Sequence, residues 1–434
     1  MIIYLESYGC SANLNNSEII KGILEQAGFI VTNNVDIADI AILNTCVVKG
    51  PTERRMIKRI KELCRKFSKI VVSGCMPDIE SLKIKSIAKQ SNSGVLLSLV
   101  GVHNIAEISK AVKSLIYGKE IDFLSRKNEI KLCLPKTSRE KIISIVQISE
   151  GCTGNCSYCY TKFAKGDIFS YPQDKIAENI KQDLKKGCNE IWLTSQDNAA
   201  YGCDRKKYEL PELLKKIFAL RGKFYVRIGM MNPSSLLPIL NEIIELYKDK
   251  KMFKFLHIPV QSGSDRILKA MNRDYKIRDF LIIIEKFRKN FPEMTLSTDI
   301  ICGFPGETEK DFLKSLDLIK KIKPEILNIS KFWPMPKTRA EAMMKKTGID
   351  DEENKMRAIK LMKMHKEICL EKNRKLLNRN FKVLVDKKGF GNTFLARDIN
   401  YRLFAIKSKD KNMLGKSVDV SVNKIMPHYV FGNA

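Results

Sequence analysis

Cys152, Cys156 and Cys159 stand in the run Glu150-Gly151-Cys152-Thr153-Gly154-Asn155-Cys156-Ser157-Tyr158-Cys159-Tyr160, a C-x3-C-x2-C spacing. A four-iron cluster ordinarily takes four cysteine ligands. Three thiolates in one short loop therefore leave one iron open to the amino and carboxylate groups of a small molecule. Zinc is the competing reading of crowded thiols, but zinc sites usually come as two C-x2-C pairs or add nearby histidines. The chain has four His, none close to this loop. The spacing points to an iron–sulfur cradle.

Cys10, Cys46 and Cys75 are informative for another reason. Each follows a strand-like run, Ile2 to Tyr8, Ile40 to Leu43 and Lys69 to Ser73, and helical patterns at Ser17 to Ala27 and Pro51 to Phe67 lie between them. Parallel strands joined in this way build an open α/β sheet of the Rossmann-like kind, whose ligands bind at the carboxyl ends of the strands. Singly, each cysteine reads as a small buried hydrophobe; jointly, they mark a second cluster site. Cys64, Cys133, Cys188, Cys203, Cys302 and Cys369 show no such pattern and read as free or buried thiols.

The elements that must hold the first cradle repeat along the middle of the chain. Strand-like runs at Ile142 to Ile148, Glu190 to Thr194, Phe224 to Gly229, Phe253 to Ile258, Met294 to Ile301 and Ile326 to Phe332 alternate with helical patterns. Six βα units predict a partial (βα)6 barrel, short of the eight units of a complete TIM barrel, with an open side. Thr194-Ser195-Gln196-Asp197, Arg227, His257, Gln261 and Asp299 fall on one rim of it. Arg227 offers a bidentate fork to a carboxylate, with an interior ion pair as the alternative. His257 is a weaker candidate for a general base, and the glycines of Gly303-Phe304-Pro305-Gly306 suit a turn whose amides face a ligand.

After a long basic helical pattern, Asp350 to Leu377, short strands at Phe381 to Asp386, Thr393 to Arg397, Tyr401 to Ile406 and Ser417 to Val422 predict a small antiparallel β-barrel. Residues 374–434 carry thirteen Lys and Arg against four Asp. The whole chain of 434 residues has a net charge of +28, which favours a polyanionic partner, nucleic acid first. No apolar run approaches a membrane span, and Met1-Ile2-Ile3-Tyr4-Leu5-Glu6 lacks the pattern of a signal peptide. Twelve cysteines in such a chain suggest reduced thiols and a cytoplasmic location.

With these residues placed, the chain resembles the methylthiotransferase family of radical S-adenosylmethionine (SAM) enzymes. The resemblance rests on Gly9-Cys10-Ser11-Ala12-Asn13, Asn44-Thr45-Cys46, Ser73-Gly74-Cys75, the three-cysteine loop with Tyr158 before its last cysteine, His257 to Asp265, and Asp299 to Thr308. Glu190 to Ser195 with Ala200-Tyr201-Gly202 most resemble the archaeal and eukaryotic branch acting on threonylcarbamoyladenosine in tRNA. The resemblance implies three domains: residues 1–125 with an auxiliary cluster, 138–370 as the radical SAM domain, and 374–434 as a TRAM-like RNA-binding domain.

It also implies two [4Fe-4S] clusters and SAM, with Cys152, Cys156 and Cys159 catalytic, Cys10, Cys46 and Cys75 ligating the second cluster, and Tyr158, Ser195, Gln196, Arg227, Gln261 and Asp299 near SAM. The implied reaction converts N6-threonylcarbamoyladenosine at position 37 to its 2-methylthio derivative through a 5′-deoxyadenosyl radical. The implied partners are the tRNA anticodon stem-loop and a low-potential electron donor, with no membrane and a monomeric enzyme. The alternatives are methylthiolation of isopentenyladenosine or of a ribosomal-protein aspartate, and a non-enzymatic iron–sulfur RNA-binding protein. One departure stands out: family members commonly read Phe-Tyr-Pro-Arg-Pro-Gly-Thr-Pro-Ala where this chain has Phe332-Trp333-Pro334-Met335-Pro336-Lys337-Thr338-Arg339-Ala340.

Overall fold

A computed structural model describes residues 1–48, 50–347, 350–410 and 412–433. The chain forms two compact units, one of Met1–Arg139, Ile145–Thr153 and Cys159–Asn179, the other of Glu140–Ser144, Gly154–Tyr158 and Ile180–Ala434.

The first unit is built on a parallel five-stranded sheet in the order Ile30–Thr32, Ile2–Ser7, Ile40–Thr45, Lys69–Gly74, Leu96–Gly101. The central strand Ile40–Thr45 is buried at every position, as expected where helices cover both faces of a parallel sheet. In this order the chain reverses its winding between the strands Ile2–Ser7 and Ile40–Thr45, and such switch points open a crevice at the strand ends. Cys10 and Cys46 follow those two strands.

The helix after Cys10 starts earlier than the sequence pattern predicts, at Ser11 rather than Ser17. Asn13, Asn15 and Asn16 read as a turn on propensity alone. The fold instead buries them, and Asn13 donates to the Thr45 carbonyl at 3.1 Å. The strands Ile30–Thr32 and Leu96–Gly101 were not expected from the sequence.

In the second unit, Glu190–Thr194 pairs in parallel with Tyr225–Ile228, and Phe255–His257, Thr295–Cys302 and Ile326–Lys331 form a second parallel sheet. The amides of Asn189 and Glu190 donate to the Ile142 carbonyl at 2.9 and 3.0 Å, placing the start of the strand Ile143–Gln147 beside Glu190–Thr194. Helices Leu210–Phe218, Ile277–Asn290 and Glu309–Ile322 separate these strands.

A 24-residue helix, Asp351–Arg374, then runs from an Asp350 cap whose carboxylate accepts the Glu352 and Glu353 amides at 2.9 and 3.0 Å. Its buried positions, Asn354, Arg357, Leu361, His365 and the adjacent pair Ile368 and Cys369, step along the helix by three or four residues and mark one face.

Beyond it, Asn380–Lys388, Thr393–Arg397, Leu403–Lys407, Val430–Asn433 and Ser417–Ile425 close into a barrel around Val383, Val385, Phe394, Phe404, Ile406, Val420 and Val430. The expected barrel was wholly antiparallel; this one joins Leu403–Lys407 to Val430–Asn433 in parallel. Five strands require it, because directions cannot alternate around a closed ring with an odd number of members. The aromatics Phe394 and Phe404 point into this core, whereas Tyr401 packs against Phe253 and Phe255.

Candidate functional site

In the first unit, three strand ends gather three thiols. Cys46 and Cys75 are buried while Cys10 is exposed. The Cys75 amide donates to the Thr45 carbonyl at 3.2 Å, which ties the ends of neighbouring strands together. Gly9, with φ +119°, sits so close to Cys46 that a Cβ there would lie 2.9 Å from Cys46 Cβ and 3.1 Å from its Sγ. Cys10 occupies the position before a 16-residue helix, where unpaired amides favour negative charge. Burial pushes the Cys75 thiol up to about 12 and raises Cys46 as well, so neither is a thiolate until a metal replaces its proton.

Around these thiols lie polar atoms with no partner: the Asn13 and Asn44 side-chain oxygens, both polar atoms of Asn16, and Ser73 Oγ. Buried polar groups are ordinarily paired. Three thiols following neighbouring strands suit an inorganic cluster, and of the orphaned atoms only Asn16 Nδ2 and Ser73 Oγ are donors of the kind its sulfurs accept.

The same unit holds a buried ionic group that the sequence did not disclose. Glu150 accepts from Lys131 and, at 2.8 Å, from Lys165, with all three side chains at most 3% exposed. Burial pushes the Glu150 carboxyl upward, but the two ammonium charges outweigh it and hold the group below the ordinary carboxylate range. Burial lowers Lys131, and it opposes the charge on Lys165 as well, but there the carboxylate of Glu150 outweighs it and holds Lys165 well above the ordinary lysine value. Lys165 thus places a persistent positive charge in the neighbourhood of the cysteines.

The C-x3-C-x2-C loop follows the strand Ile143–Gln147 and the two-residue strand Ser149–Glu150. All three of its thiols are half-buried. At its entry, Gly151 has φ +70°, and a Cβ there would fall 1.9 Å from the Asp167 carbonyl oxygen, so only glycine fits. Lys162 donates to the Cys152 carbonyl and pairs with Asp167 at 2.7 Å.

Within the second unit, Arg273 Nη1 lies 3.3 Å from Cys156 Sγ, while Nη2 donates to Asn232 Oδ1 at 3.0 Å and to the Pro259 carbonyl at 3.1 Å. Arg273 was missed by sequence reasoning because nothing local to Met271-Asn272-Arg273 reports its proximity to Cys156. Asn272 and Arg339 both donate to the Asn155 carbonyl, at 2.8 and 2.7 Å. Tyr158 meets Phe304 edge to face at 6.3 Å, and Phe304 meets Phe332 at 5.4 Å.

The departure in the loop now has a geometry. Lys337 has φ 64°, the left-handed conformation that the glycine of the resembling sequences adopts freely, and Arg339 has a contact of its own on Asn155.

Of the expected rim residues, Ser195 and Gln196 follow the strand Glu190–Thr194 and His257 ends Phe255–His257, whereas Arg227 and Asp299 lie within the strands Tyr225–Ile228 and Thr295–Cys302. Ser195 Oγ and Gln196 Oε1 are buried without partners, and Arg227 Nε is also unpartnered. The Arg227 guanidinium stacks over Phe255, Trp192 and Tyr401 at 4.6, 4.9 and 5.4 Å, so aromatic faces take the place of the interior ion pair. Gln261 holds a left-handed conformation, φ 69°, and donates its amide to the Asp299 carbonyl at 2.8 Å.

Asp299 Oδ1 accepts from Asn328 at 2.7 Å and lies 3.1 Å from His257 Nε2, which leaves His257 oriented by that carboxylate. The Gly303 amide is directed to Glu307 at 2.7 Å and not outward to a ligand. The orphaned oxygens of Ser195 and Gln196 and the unpaired Arg227 Nε suit a small polar molecule carrying both amino and carboxylate groups.

A C-x3-C-x2-C sequence, in a chain whose second unit carries parallel strands alternating with helices, is the pattern of a radical SAM enzyme. The sequence agrees: residues 146–319 match the radical SAM superfamily, and residues 2–95 match the family described as "Uncharacterized protein family UPF0004". The chain is 38% identical to the probable threonylcarbamoyladenosine tRNA methylthiotransferase of Pyrococcus abyssi over 92% of each chain. It is 32% identical to the human threonylcarbamoyladenosine tRNA methylthiotransferase, covering 99% of this chain and 73% of that one. Among solved structures, the radical SAM methyltransferase TsrM from Kitasatospora setae shares the fold with a TM-score of 0.56 at 12% identity, over 78% of this chain and 76% of that one. This chain belongs to the threonylcarbamoyladenosine tRNA methylthiotransferase family.

Proposed function

We propose that the protein installs a methylthio group at C2 of N6-threonylcarbamoyladenosine 37 in tRNA. The observation that carries this reading is the presence of two three-cysteine sets of different construction in a chain related over nearly its full length to methylthiotransferases. C2 of an adenine is an unactivated C–H carbon, and acid–base side chains cannot readily replace its hydrogen with sulfur. The two [4Fe-4S] clusters and SAM supply one-electron chemistry and a sulfur-bearing ligand when bound.

The residues of this chain bind and orient. Cys152, Cys156 and Cys159 hold one cluster, and Arg273 supports Cys156 by donating to its sulfur. Ser195, Gln196, Arg227, Gln261 and Asp299 would hold SAM, together with Tyr158, whose ring is fixed against Phe304. Cys10, Cys46 and Cys75 hold the second cluster, whose surroundings Lys165 makes more positive. Residues 1–125, 138–370 and 374–434 serve as auxiliary-cluster, radical SAM and RNA-binding portions.

The barrel of Asn380–Lys388 through Val430–Asn433 brings basic residues to the tRNA anticodon stem-loop, where an unpaired base can be splayed into a pocket. No helix among the described residues is long and apolar enough to cross a membrane. A cytoplasmic monomer served by a low-potential electron donor completes the reading.

The test is nucleoside mass spectrometry of tRNA from a host lacking the modification, with and without this gene. Appearance of 2-methylthio-N6-threonylcarbamoyladenosine is expected. Methylthiolation of isopentenyladenosine instead, or of no nucleoside, would overturn the substrate.

A further inference from the structure

His365 and Cys369 stand one turn apart on the buried face of the helix Asp351–Arg374. His428 comes to them from the segment linking the barrel strands Ser417–Ile425 and Val430–Asn433. One donor atom of each lies within 4.8 Å of the other two, the only such group of His, Cys, Asp and Glu among the described residues. That spacing fits a single ion. Two of the four histidines in the chain sit here.

The finer geometry agrees. Cys369 Sγ is 3.3 Å from His365 Nε2 and 3.9 Å from Nδ1, and the two imidazole rings face each other 5.9 Å apart at 22°. His365 Nε2 is 3.1 Å from the Pro324 carbonyl. Donating Nε2–H to that carbonyl fixes the tautomer and leaves the Nδ1 lone pair for a metal, the outer hydrogen bond that ligating histidines typically make.

The loop bearing His428 is held in place independently of any ion. Asn373, one further turn along the same helix, donates to the Met426 and Pro427 carbonyls at 2.7 and 3.2 Å. Lys372, the nearby cation, is paired with Glu325. A cavity of about 470 Å3 adjoins all three residues and gives an entry path.

We propose that His365, Cys369 and His428 bind one divalent metal ion of the zinc class, through two imidazole nitrogens and one thiolate, with the fourth position open to the cavity. Two nitrogens and one sulfur with an open place make a ligand set that zinc accepts. The Cys369 thiol proton passes to solvent as the sulfur–metal bond forms, and no electron moves. Such an ion ties the long helix to the closing strands of the barrel. It is separate from the iron sites, whose ligands are all thiolates.

The experiment uses the full chain with its iron clusters reconstituted without oxygen, equilibrated with Zn2+ and desalted. Elemental analysis should return one zinc per chain for the wild type and background zinc for Cys369→Ser and His428→Ala, with iron unchanged. Co2+ in place of Zn2+ should give a thiolate-to-cobalt absorption band that Cys369→Ser abolishes. His428 is exposed, so His428→Ala removes a ligand without opening the core and decides the matter if Cys369→Ser loses iron as well. Undiminished zinc in His428→Ala, or a wild type that retains none, would overturn the proposal. Either result leaves the iron content and the methylthiolation assay to judge the proposed function separately.

Discussion

The two sets of three cysteines are assembled by opposite routes. Cys152, Cys156 and Cys159 lie within eight consecutive residues, so their grouping is written in one stretch of the chain. Cys10, Cys46 and Cys75 come from three strand ends far apart in sequence, and only the parallel sheet gathers them. Their electrostatic support differs too. The loop has a guanidinium in direct contact with one sulfur, whereas the strand-end set lies in the field of the buried Lys131–Glu150–Lys165 group. A local motif survives errors in the surrounding fold, but a site assembled by topology is only as stable as its sheet.

The largest effect expected from this contrast is a separation of activities. Replacing Cys152, Cys156 and Cys159 with alanine should abolish both reductive SAM cleavage and methylthiolation and halve the bound iron. Replacing Cys10, Cys46 and Cys75 should halve the iron and abolish methylthiolation while SAM cleavage to 5′-deoxyadenosine continues. Wild-type product formation by the second variant would erase the distinction.

Glu150→Gln sharpens the comparison next, because it leaves two buried ammonium groups without their shared counter-ion. Breaking a buried ionic group in this way costs about 3–5 kcal/mol. Denaturant unfolding should show that loss, with the strand-end cluster lost before the loop cluster. Since the folded-state carboxyl is held below its ordinary value, its contribution in the wild type is present above the unfolded carboxylate range near pH 4.3 and declines as pH falls below it. Glu150→Gln should flatten that acid limb; an unchanged acid limb would show that the group does not stabilise the fold.

Arg273→Ala should weaken the loop alone. A hydrogen bond to a charged group contributes about 1.5–3 kcal/mol, and donation to a ligand sulfur tunes cluster potential. Slower SAM cleavage at unchanged iron content, with a lowered cluster midpoint potential in anaerobic titration, is the expected result. Equal potentials in variant and wild type would reduce Arg273 to packing.

The smallest effect concerns the divergent loop. Lys337 is exposed and left-handed, so Lys337→Gly should relieve about 1–2 kcal/mol of backbone cost, less the greater chain entropy that glycine loses. A net gain below about 1 kcal/mol in urea unfolding, with SAM cleavage unaltered, is expected. A loss of stability would show that the side chain contributes more than its conformation costs.

How much of this could be read from the residues follows from the range of each interaction. Strands Glu190–Thr194 and Thr393–Arg397 agree with the sequence pattern at both ends, because apolar runs bounded by turn residues are local signals. Ile30–Thr32 escaped notice because three residues are too few to show a period, and Val430–Asn433 because Gly432 interrupts a run of four. The run Leu96–Gly101 is apolar but has neither helical nor alternating period, which is characteristic of a strand buried on both faces.

Within the candidate sites, the cysteines stand out in the sequence by spacing or by position after strands. Arg273, Lys165 and Glu150 were not, since what distinguishes them is a partner distant in sequence. His365 and Cys369 are a mixed case: their separation by one helical turn is local, but His428 joins them only through the barrel.

The parallel pair that closes the barrel carries a cellular consequence. Val430–Asn433 has one neighbour on each side, Leu403–Lys407 and Ser417–Ile425, so damage to it bares two edges at once. Bare edges invite pairing with other chains. Lesions in that strand are therefore expected to show themselves as insoluble or degraded protein, a deficit of abundance that transcript levels would not reveal and that no assay of the purified soluble fraction would detect.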